Sequence, residues 1–274
     1  MTAIHFPNTE LPDIVELRNV SQTYNDGKVK ILENVNFLVE DIPGRGQFDV
    51  ILGPSGCGKS TLLRYIAGLQ TPTTGEVLIK GKPRTESDTV GMVFQQYSSF
   101  PWLTVLENVR LGLDLHNVPR SEANERARQA LVAVGLSGHE EKFAKYPTLS
   151  GGQLQRVAIA RSLVVNPEIL LLDEPFGALD TNTRFRAQLM LSELWMKLQS
   201  TVLFVTHDIA EAVFLADRIF VMQANPGHVA YQMNVNLPFP RTRETKRNPD
   251  YLQLVNQLED QMVAMDAISS SSRG

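Results

Sequence analysis

At 274 residues, with 43% apolar and 20% charged residues, the chain has the length and composition of one large folded domain or two small ones. A net charge of −4 disfavours nucleic acid as the main partner, and no apolar run approaches the ~18 residues needed to cross a bilayer. The single cysteine, Cys57, excludes an internal disulfide and fits a reducing compartment, and Met1-Thr2-Ala3-Ile4-His5-Phe6-Pro7 lacks the basic start and apolar core of a secretion signal.

In chain order, residues 1–12 read as a loose leader. Residues 14–20 and 35–39 alternate apolar with polar, which predicts two antiparallel strands separated by the turn Asn25-Asp26-Gly27. A second turn, Asp41-Ile42-Pro43-Gly44-Arg45-Gly46, leads into Phe48-Asp49-Val50-Ile51-Leu52, which reads as a buried strand. Gly53-Pro54-Ser55-Gly56-Cys57-Gly58-Lys59-Ser60-Thr61 follows and matches G-x-x-x-x-G-K-[ST]. A helix is predicted over 60–67, with Gly68 as its stop.

This strand–glycine turn–helix arrangement gathers backbone N–H groups and the positive end of a helix dipole around one point, which suits a polyphosphate. Lys59 is placed to reach the β- and γ-phosphates of ATP, and the Ser60 hydroxyl to ligate Mg²⁺. Residues 76–80 and 90–94 read as further strands.

The middle of the chain turns helical. Thr104-x-x-Glu107 is a capping box that opens a helix through Leu106, Val109 and Leu113. Ser121 is expected to cap a second helix that ends before Gly135. Leu149-Ser150-Gly151-Gly152-Gln153 opens a third, running to about 165 and closed by Asn166-Pro167. The two glycines behind Ser150 make a second anion-binding helix start. One chain has no evident use for two such starts, but two chains do, each closing the other's phosphate site.

Residues 168–172 form a continuous apolar strand that delivers Asp173-Glu174 at its C-terminal end. A long helix is expected over 181–199. Residues 201–205 form another buried strand, ending at Thr206-His207-Asp208. Asp173 sits where a Mg²⁺-binding carboxylate belongs, Glu174 where a carboxylate polarises water, and His207 where it meets the γ-phosphate. Residues 229–237 read as a last strand or two and 251–258 as a terminal helix, followed by a serine-rich tail over 269–272 expected to be disordered.

These motifs resemble, in order and over residues 14–222, the ATP-binding subunit of an ABC transporter. Residues 53–61 match the Walker A loop, and Gln95 in Val93-Phe94-Gln95-Gln96 the Q-loop. Residues 149–153 match the signature sequence, 169–174 Walker B with its catalytic glutamate, Ala178-Leu179-Asp180 the D-loop, and His207 the switch histidine. The resemblance implies an α/β P-loop NTPase core with a parallel sheet, an antiparallel β-subdomain and an inserted helical subdomain.

The expected cassette is 1–222. Its β-subdomain and P-loop core cover about 13–95, its helical subdomain about 97–165 and its remaining core about 166–222, with a short extension over 223–274. The resemblance also implies that Glu174, His207, Gln95 and Lys59 serve catalysis and that Ser60, Gln95 and Asp173 hold Mg²⁺. ATP would be bound by Gly53, Pro54, Ser55, Gly56, Cys57, Gly58, Lys59, Ser60 and Thr61, by Ser150, Gly151, Gly152, Gln153 and Asp180 across a head-to-tail dimer, and by Tyr24 stacked on adenine.

Phe100-Pro101-Trp102-Leu103-Thr104-Val105-Leu106-Glu107-Asn108-Val109, Asn225-Pro226-Gly227 and Leu237-Pro238-Phe239-Pro240-Arg241 are similar to the importer branch serving nitrate, sulfonate, taurine and bicarbonate. That likeness implies two permease subunits, an extracytoplasmic solute-binding protein, no nucleic acid, and a peripheral place on the cytoplasmic face of the cell membrane. Tyr97, Phe100, Pro101 and Trp102 are the candidate docking surface, core packing within the helical insertion being the alternative.

Two departures stand out. The turn over 42–47 is longer than the family's usual Gly-Glu, and Leu154 replaces a commonly polar residue after the signature. A soluble ABC ATPase of iron–sulfur assembly or DNA metabolism is the competing reading. The absence of a heptad run and of a second cassette weighs against its DNA-repair and translation types. A nucleotide-gated module without hydrolysis is disfavoured by Glu174 and His207.

Overall fold

The computed structural model describes residues 13–25, 28–42, 44–85, 88–96, 98–198 and 200–271. The strands are β1 (Val15–Tyr24), β2 (Val29–Val39), β3 (Phe48–Leu52), β4 (Thr74–Ile79), β5 (Lys82–Pro83), β6 (Val90–Val93), β7 (Ile169–Asp173), β8 (Thr201–Thr206), β9 (Arg218–Gln223) and β10 (His228–Asn234). The helices are α1 (Lys59–Ile66), α2 (Val105–Leu115), α3 (Arg120–Ala133), α4 (Gly151–Leu163), α5 (Thr181–Trp195), α6 (Ile209–Leu215) and α7 (Pro249–Ser271). Two compact units emerge, residues 1–88 with 203–274, and residues 89–202.

In the first unit, β1 lies between β2 and β4 in an antiparallel sheet of order β2-β1-β4-β5, with Val15 opposite Val39 and Ile79. The predicted alternation is met: Val15, Leu17 and Val20 are buried while Arg18 and Asn19 are exposed. β3 is buried at every residue, as a strand covered on both faces requires; Phe48, Val50, Ile51 and Leu52 are apolar, and Asp49 is the one charged residue among them. It pairs in parallel with β9 in the register Asp49 to Arg218 and Leu52 to Val221, borders β8 on its other side, and β10 closes antiparallel on β9. Phe37 packs on Phe220 at 4.6 Å between ring centroids, and Phe48 on Phe204 at 5.9 Å.

Charge is buried where β3 meets β9. The Arg218 guanidinium grips Asp49 through Nε at 3.1 Å and Nη2 at 2.8 Å, and also reaches Glu40 at 2.9 Å and Gln47 at 3.0 Å. Burial pushes the Asp49 carboxyl up, while Arg218 pulls it down. The long turn noted in the sequence folds onto this cluster. Gln47 donates to the Glu40 carbonyl at 2.7 Å, and Arg45 pairs with Asp217 at 2.6 Å.

The C-terminal segment is tied to α6. Arg241, almost wholly buried, donates to the carbonyls of Phe214, Ala216 and Pro238 at 2.8–3.0 Å and lies 3.8 Å from the Phe239 ring. Its burial lowers its pKa to about 10. The Tyr251 hydroxyl, pushed up to about 12 by burial, donates to the Ala210 carbonyl at 2.9 Å.

In the second unit, β6 and β7 run parallel, Val90 opposite Ile169 and Val93 opposite Leu172. α2 has the predicted capping box: Thr104 Oγ1 accepts from Glu107 N at 3.2 Å, and Glu107 Oε2 accepts from Thr104 N at 2.8 Å. Those hydrogen bonds from Thr104 hold the Glu107 carboxyl below the usual range. α3 buries Ala123, Ala127 and Leu131, one turn apart on a single face. Fully buried Asn108 fixes the loop before α2, donating to the Phe100 and Thr104 carbonyls and accepting from Phe100 N at 2.8 Å.

Several boundaries differ from the sequence reading. α3 is capped by Pro119 and begins at Arg120, so Ser121 lies inside it, because proline's fixed φ already suits the entry to a helix. α5 stops at Trp195, whose Nε1 donates to the Ser200 carbonyl as the chain turns into β8. α6 and β9 lay outside the predicted elements. α6 is only seven residues long, too short to develop a helical period, and β9 takes its place from its pairing with β3. α7 carries on through Ser271, so Ser269 to Ser271 are helical where disorder was expected; the last three residues, with the leader 1–12, the turn residues 26 and 27, Pro43 and Tyr97, lie outside the described residues.

Candidate phosphate site

The first unit holds the glycine loop between β3 and α1. Gly56 and Gly58 take φ of +81° and +101°, conformations that L side chains rarely adopt, so these two glycines are required by the backbone itself. Gly58 is the N-cap of α1 and gives no side-chain cap, and no acidic residue occupies the first turn, so the helix start is left electropositive. Lys59 is almost fully buried, its ammonium bonded to the carbonyls of Gly53 at 2.8 Å and Pro54 at 2.9 Å. The lysine thereby braces the loop and is held at its centre.

Pro54, Ser55 and Gly56 are exposed at the tip, while Ser60 and Thr61 are half-buried in the first turn. Cys57 is buried, with its N–H turned to the Pro54 carbonyl at 3.4 Å and its sulfur 2.9 Å from where a Cβ on Gly53 would stand. The thiol therefore faces the interior. Tyr24, at the end of β1, is about half exposed, and its hydroxyl accepts from Gln70 at 3.0 Å, leaving part of the ring available for stacking.

His207 is exposed directly after β8. Its neighbours are tightly bonded. Thr206 Oγ1 donates to Glu211 Oε2 at 2.6 Å and accepts from Asp208 N at 3.0 Å, and Asp208 caps α6 by accepting from Glu211 N at 2.9 Å. This Thr206–Asp208–Glu211 network, which sequence reasoning missed, fixes the backbone on either side of the histidine. Its only sequence trace is an acidic residue three positions after Asp208, a capping pattern.

The second unit gathers the remaining residues. Asp173 ends β7 and is buried; Glu174 follows with φ +42°, an unusual conformation for a non-glycine that turns the chain sharply at the strand end. Gln95 Nε2 donates to Glu174 Oε2 at 3.1 Å, joining two residues far apart in sequence. Ser150 caps α4 through a full capping box with Gln153: Ser150 N donates to Gln153 Oε1 at 2.8 Å and Gln153 N to Ser150 Oγ at 3.3 Å. Gln153 also meets His139 at 3.0 Å.

Asp180 caps α5, accepting from Asn182 N and Thr183 N at 3.1 Å each; hydrogen bonds from Thr183 hold its carboxyl below the usual range. The two helix starts are packed together. A Cβ on Gly152 would lie 2.7 Å from Thr183 Cγ2. Gly152→Ala is accordingly expected to cost about 1–3 kcal/mol of overpacking in urea unfolding. Thr183→Ser, which removes the obstructing methyl, should recover most of that loss; equal stability of Gly152→Ala and the parent would refute the contact.

Beside these residues, Phe100 and Trp102 form a tilted pair at 5.3 Å with Arg161 lying 5.3 Å over the Phe100 ring. Trp102 is 68% exposed, and so is not core packing. Among the described residues no cluster of three or more His, Cys, Asp or Glu could hold a metal alone, and no helix is long and apolar enough to cross a membrane.

Comparison with known proteins agrees with these features. The model of the ABC transporter family matches residues 32–177. The nitrate import ATP-binding protein NrtD of Synechocystis is 44% identical over 239 residues, covering 85% of this chain and 88% of that protein. The aliphatic sulfonates import ATP-binding protein SsuB of Bacillus cereus is 43% identical over 235 residues, covering 85% and 90%. The ATP-binding cassette MJ0796, solved as a dimer with ADP and phosphate, superposes with a TM-score of 0.69 at 38% identity, covering 82% of this chain and all of that one. CbiO1 of Clostridium perfringens, part of the transporter complex cbiONQ, gives 0.73 at 30% identity, covering 90% and 99%. The glycine loop, the capped helix starts and the paired Gln95 and Glu174 thus sit in a P-loop NTPase fold, and the chain belongs to the ABC transporter family as an ATP-hydrolysing, ATP-binding cassette.

Proposed function

We propose that this cassette powers the import of a small anion of the nitrate, bicarbonate, sulfonate or taurine class through partner permease subunits. The observation that carries the reading is that importers of nitrate and of sulfonates align with 85% of the chain at 43–44% identity, across both units. The exposed Trp102, paired with half-buried Phe100, adds an apolar contact surface of the kind a permease would cover.

In this reading two copies bind two ATP molecules head-to-tail. Each nucleotide lies between the glycine loop of one copy and the helix start at Ser150, Gly151, Gly152 and Gln153 of the other, with Asp180 at the same interface. Lys59 exchanges its bonds to the Gly53 and Pro54 carbonyls for the β- and γ-phosphates. Glu174 orients the attacking water, and Gln95, which donates to it, keeps its carboxylate aimed. His207 meets the γ-phosphate, and Tyr24 stacks on adenine. Lys59 and the signature amides stabilise the charge that develops on the transferred phosphoryl.

The Ser60 hydroxyl, the Asp173 carboxylate and the Gln95 amide oxygen are the groups that would hold Mg²⁺ in this reading, all of them oxygen donors of the kind that cation takes. With Gln95 Nε2 engaged by Glu174, its oxygen is the end left for such a cation. When bound, Mg²⁺ would neutralise phosphate charge. ATP-driven closure would pass through Gln95 and the helical segment to the permease, with the cassette held peripherally at the cytoplasmic face and a solute-binding protein on the far side.

Affinity purification from detergent-solubilised native membranes, with partners identified by mass spectrometry, tests the reading. A permease pair together with a solute-binding protein is the expected result. Trp102→Ala should reduce permease recovery by about tenfold or more, as loss of an exposed aromatic anchor does. Recovery of soluble partners only would move the assignment to a non-transport ABC ATPase.

A further inference from the structure

The glycines around the phosphate loop divide into two kinds. A Cβ on Gly56 would meet nothing within 4 Å, so that position faces open space. Gly58 and Gly227 instead face protein atoms at no clearance. A Cβ on Gly58 would stand 2.3 Å from Leu32 Cδ2. A Cβ on Gly227, in the turn between β9 and β10, would stand 2.1 Å from the Cys57 carbonyl oxygen and 2.8 Å from the same Leu32 Cδ2. Leu32 is fully buried and is thus wedged between the loop and the turn.

The turn is itself pinned to β2. Gly227 N donates to the Ile31 carbonyl at 2.8 Å, and Glu33 N donates to the Gly227 carbonyl at 3.1 Å. Gly227 lies outside the left-handed region, unlike Gly56 and Gly58, so what forbids a side chain there is space and not backbone strain.

We infer that Leu32 and Gly227 are positioning residues for ATP: through them β2 and the β9–β10 turn hold the Cys57 peptide, and with it the loop, in its phosphate-binding shape. The inference rests on the reading that this loop binds the ATP phosphates. Its physical basis is that a loop with two glycines at positive φ has little intrinsic preference for one shape. The shape must be imposed from outside. Before the phosphates arrive, Lys59 supplies one brace by bonding the Gly53 and Pro54 carbonyls, and the Leu32–Gly227 pair supplies the other, at Cys57 and Gly58, which does not depend on the lysine.

A methyl group on Gly227 would push the Cys57 carbonyl and rotate the loop away from the phosphates. Because the loop backbone would hold the phosphates alike before and during reaction, the loss should fall on KM and Kd while kcat at saturation holds.

The test uses the full chain, equilibrium titration with a non-hydrolysable ATP analogue, and steady-state ATP turnover. Gly227→Ala is expected to raise Kd and KM roughly 10- to 100-fold, with kcat at saturation within about threefold of the parent. Leu32→Ala should weaken binding less, because it loosens the wedge behind Gly58 but leaves the Cys57 peptide unpushed, and the double variant should stay as weak as Gly227→Ala or weaker, because the 2.1 Å approach to the Cys57 carbonyl remains when the leucine is removed. Unchanged Kd in Gly227→Ala, or parent-like binding in the double variant, would overturn the inference. Should Gly227→Ala not fold, unchanged Kd in Leu32→Ala would overturn it equally. Lys59→Ala is the separate control: if it binds the analogue as the parent does, the phosphate-loop reading itself fails, whatever Gly227 does.

Discussion

Glu174→Gln leaves ATP binding intact and cuts ATP turnover by about 10²- to 10⁴-fold, the range spanned by a positioned general base. Glutamine has nearly the same shape as glutamate, so it should hold the Gln95 contact, observed at 3.1 Å, and the tight turn in which Gly177 N donates to the Glu174 carbonyl at 3.2 Å. What it loses is the negative charge that polarises water. The φ of +42° at Glu174 sharpens the prediction. A non-glycine in that region costs roughly 1–2 kcal/mol and persists only where its surroundings impose it, so the residue is held in place for its side chain. With hydrolysis blocked, the ATP-bound pair of cassettes should accumulate. Phosphate release and size-exclusion chromatography with ATP measure the two effects. Turnover near that of the parent would remove Glu174 from catalysis, and a variant that stays monomeric with ATP would contradict the two-chain site.

Arg218→Ala is expected to destabilise the fold by about 3–5 kcal/mol, the cost of stranding a buried charge. Among the described residues Arg218 is the only cation hydrogen-bonded to Asp49 and Glu40, both buried, and it bonds Asp49 through two nitrogens. Removing it leaves a wholly buried carboxylate that burial alone already pushes toward protonation. Arg218→Lys should not restore stability fully, since an ammonium cannot reproduce the two parallel bonds. Arg218→Met combined with Asp49→Leu and Glu40→Met should recover more, because apolar groups at all three positions remove the desolvation cost with the charges. Urea unfolding followed by circular dichroism reads all three, and a loss below about 1 kcal/mol for Arg218→Ala would mean that water reaches the cluster. The extended turn over 42–47, noted in the sequence as a departure from the family pattern, belongs to this argument. Glu40 just before it and Gln47 at its end complete the arginine's partners, and Arg45 adds the pair to Asp217.

The two substitutions act on different links of the same chain of causes. Glu174 lies at a strand end, where side chains meet a ligand, and its loss should leave the core unchanged. Arg218 lies where two parallel strands meet, away from the proposed chemistry, and its loss should weaken the platform that carries the glycine loop, since β3 leads directly into Gly53.

Much of this was legible from residues alone, because it depends on interactions close in sequence. The glycine loop needs glycines where φ is positive, and Gly56 and Gly58 are there. Helix starts need a side-chain acceptor within one turn, and Thr104, Ser150 and Asp180 supply it. Strands covered on both faces must be mainly apolar, and β3, β7 and β8 are, with Asp49 in β3 and Asp173 at the end of β7 as their charged residues. Tertiary structure alone decided the rest, since those facts join residues with no sequence relation: the Gln95–Glu174 bond, the Arg218 cluster, the grip of Arg241 on the end of α6, and the contact of Gly227 with Cys57. Periodicity and propensity report which face of an element is dry and where its backbone must turn. They carry no record of which distant atom fills the space beside a glycine or answers a buried charge, and that is settled only when the segments pack.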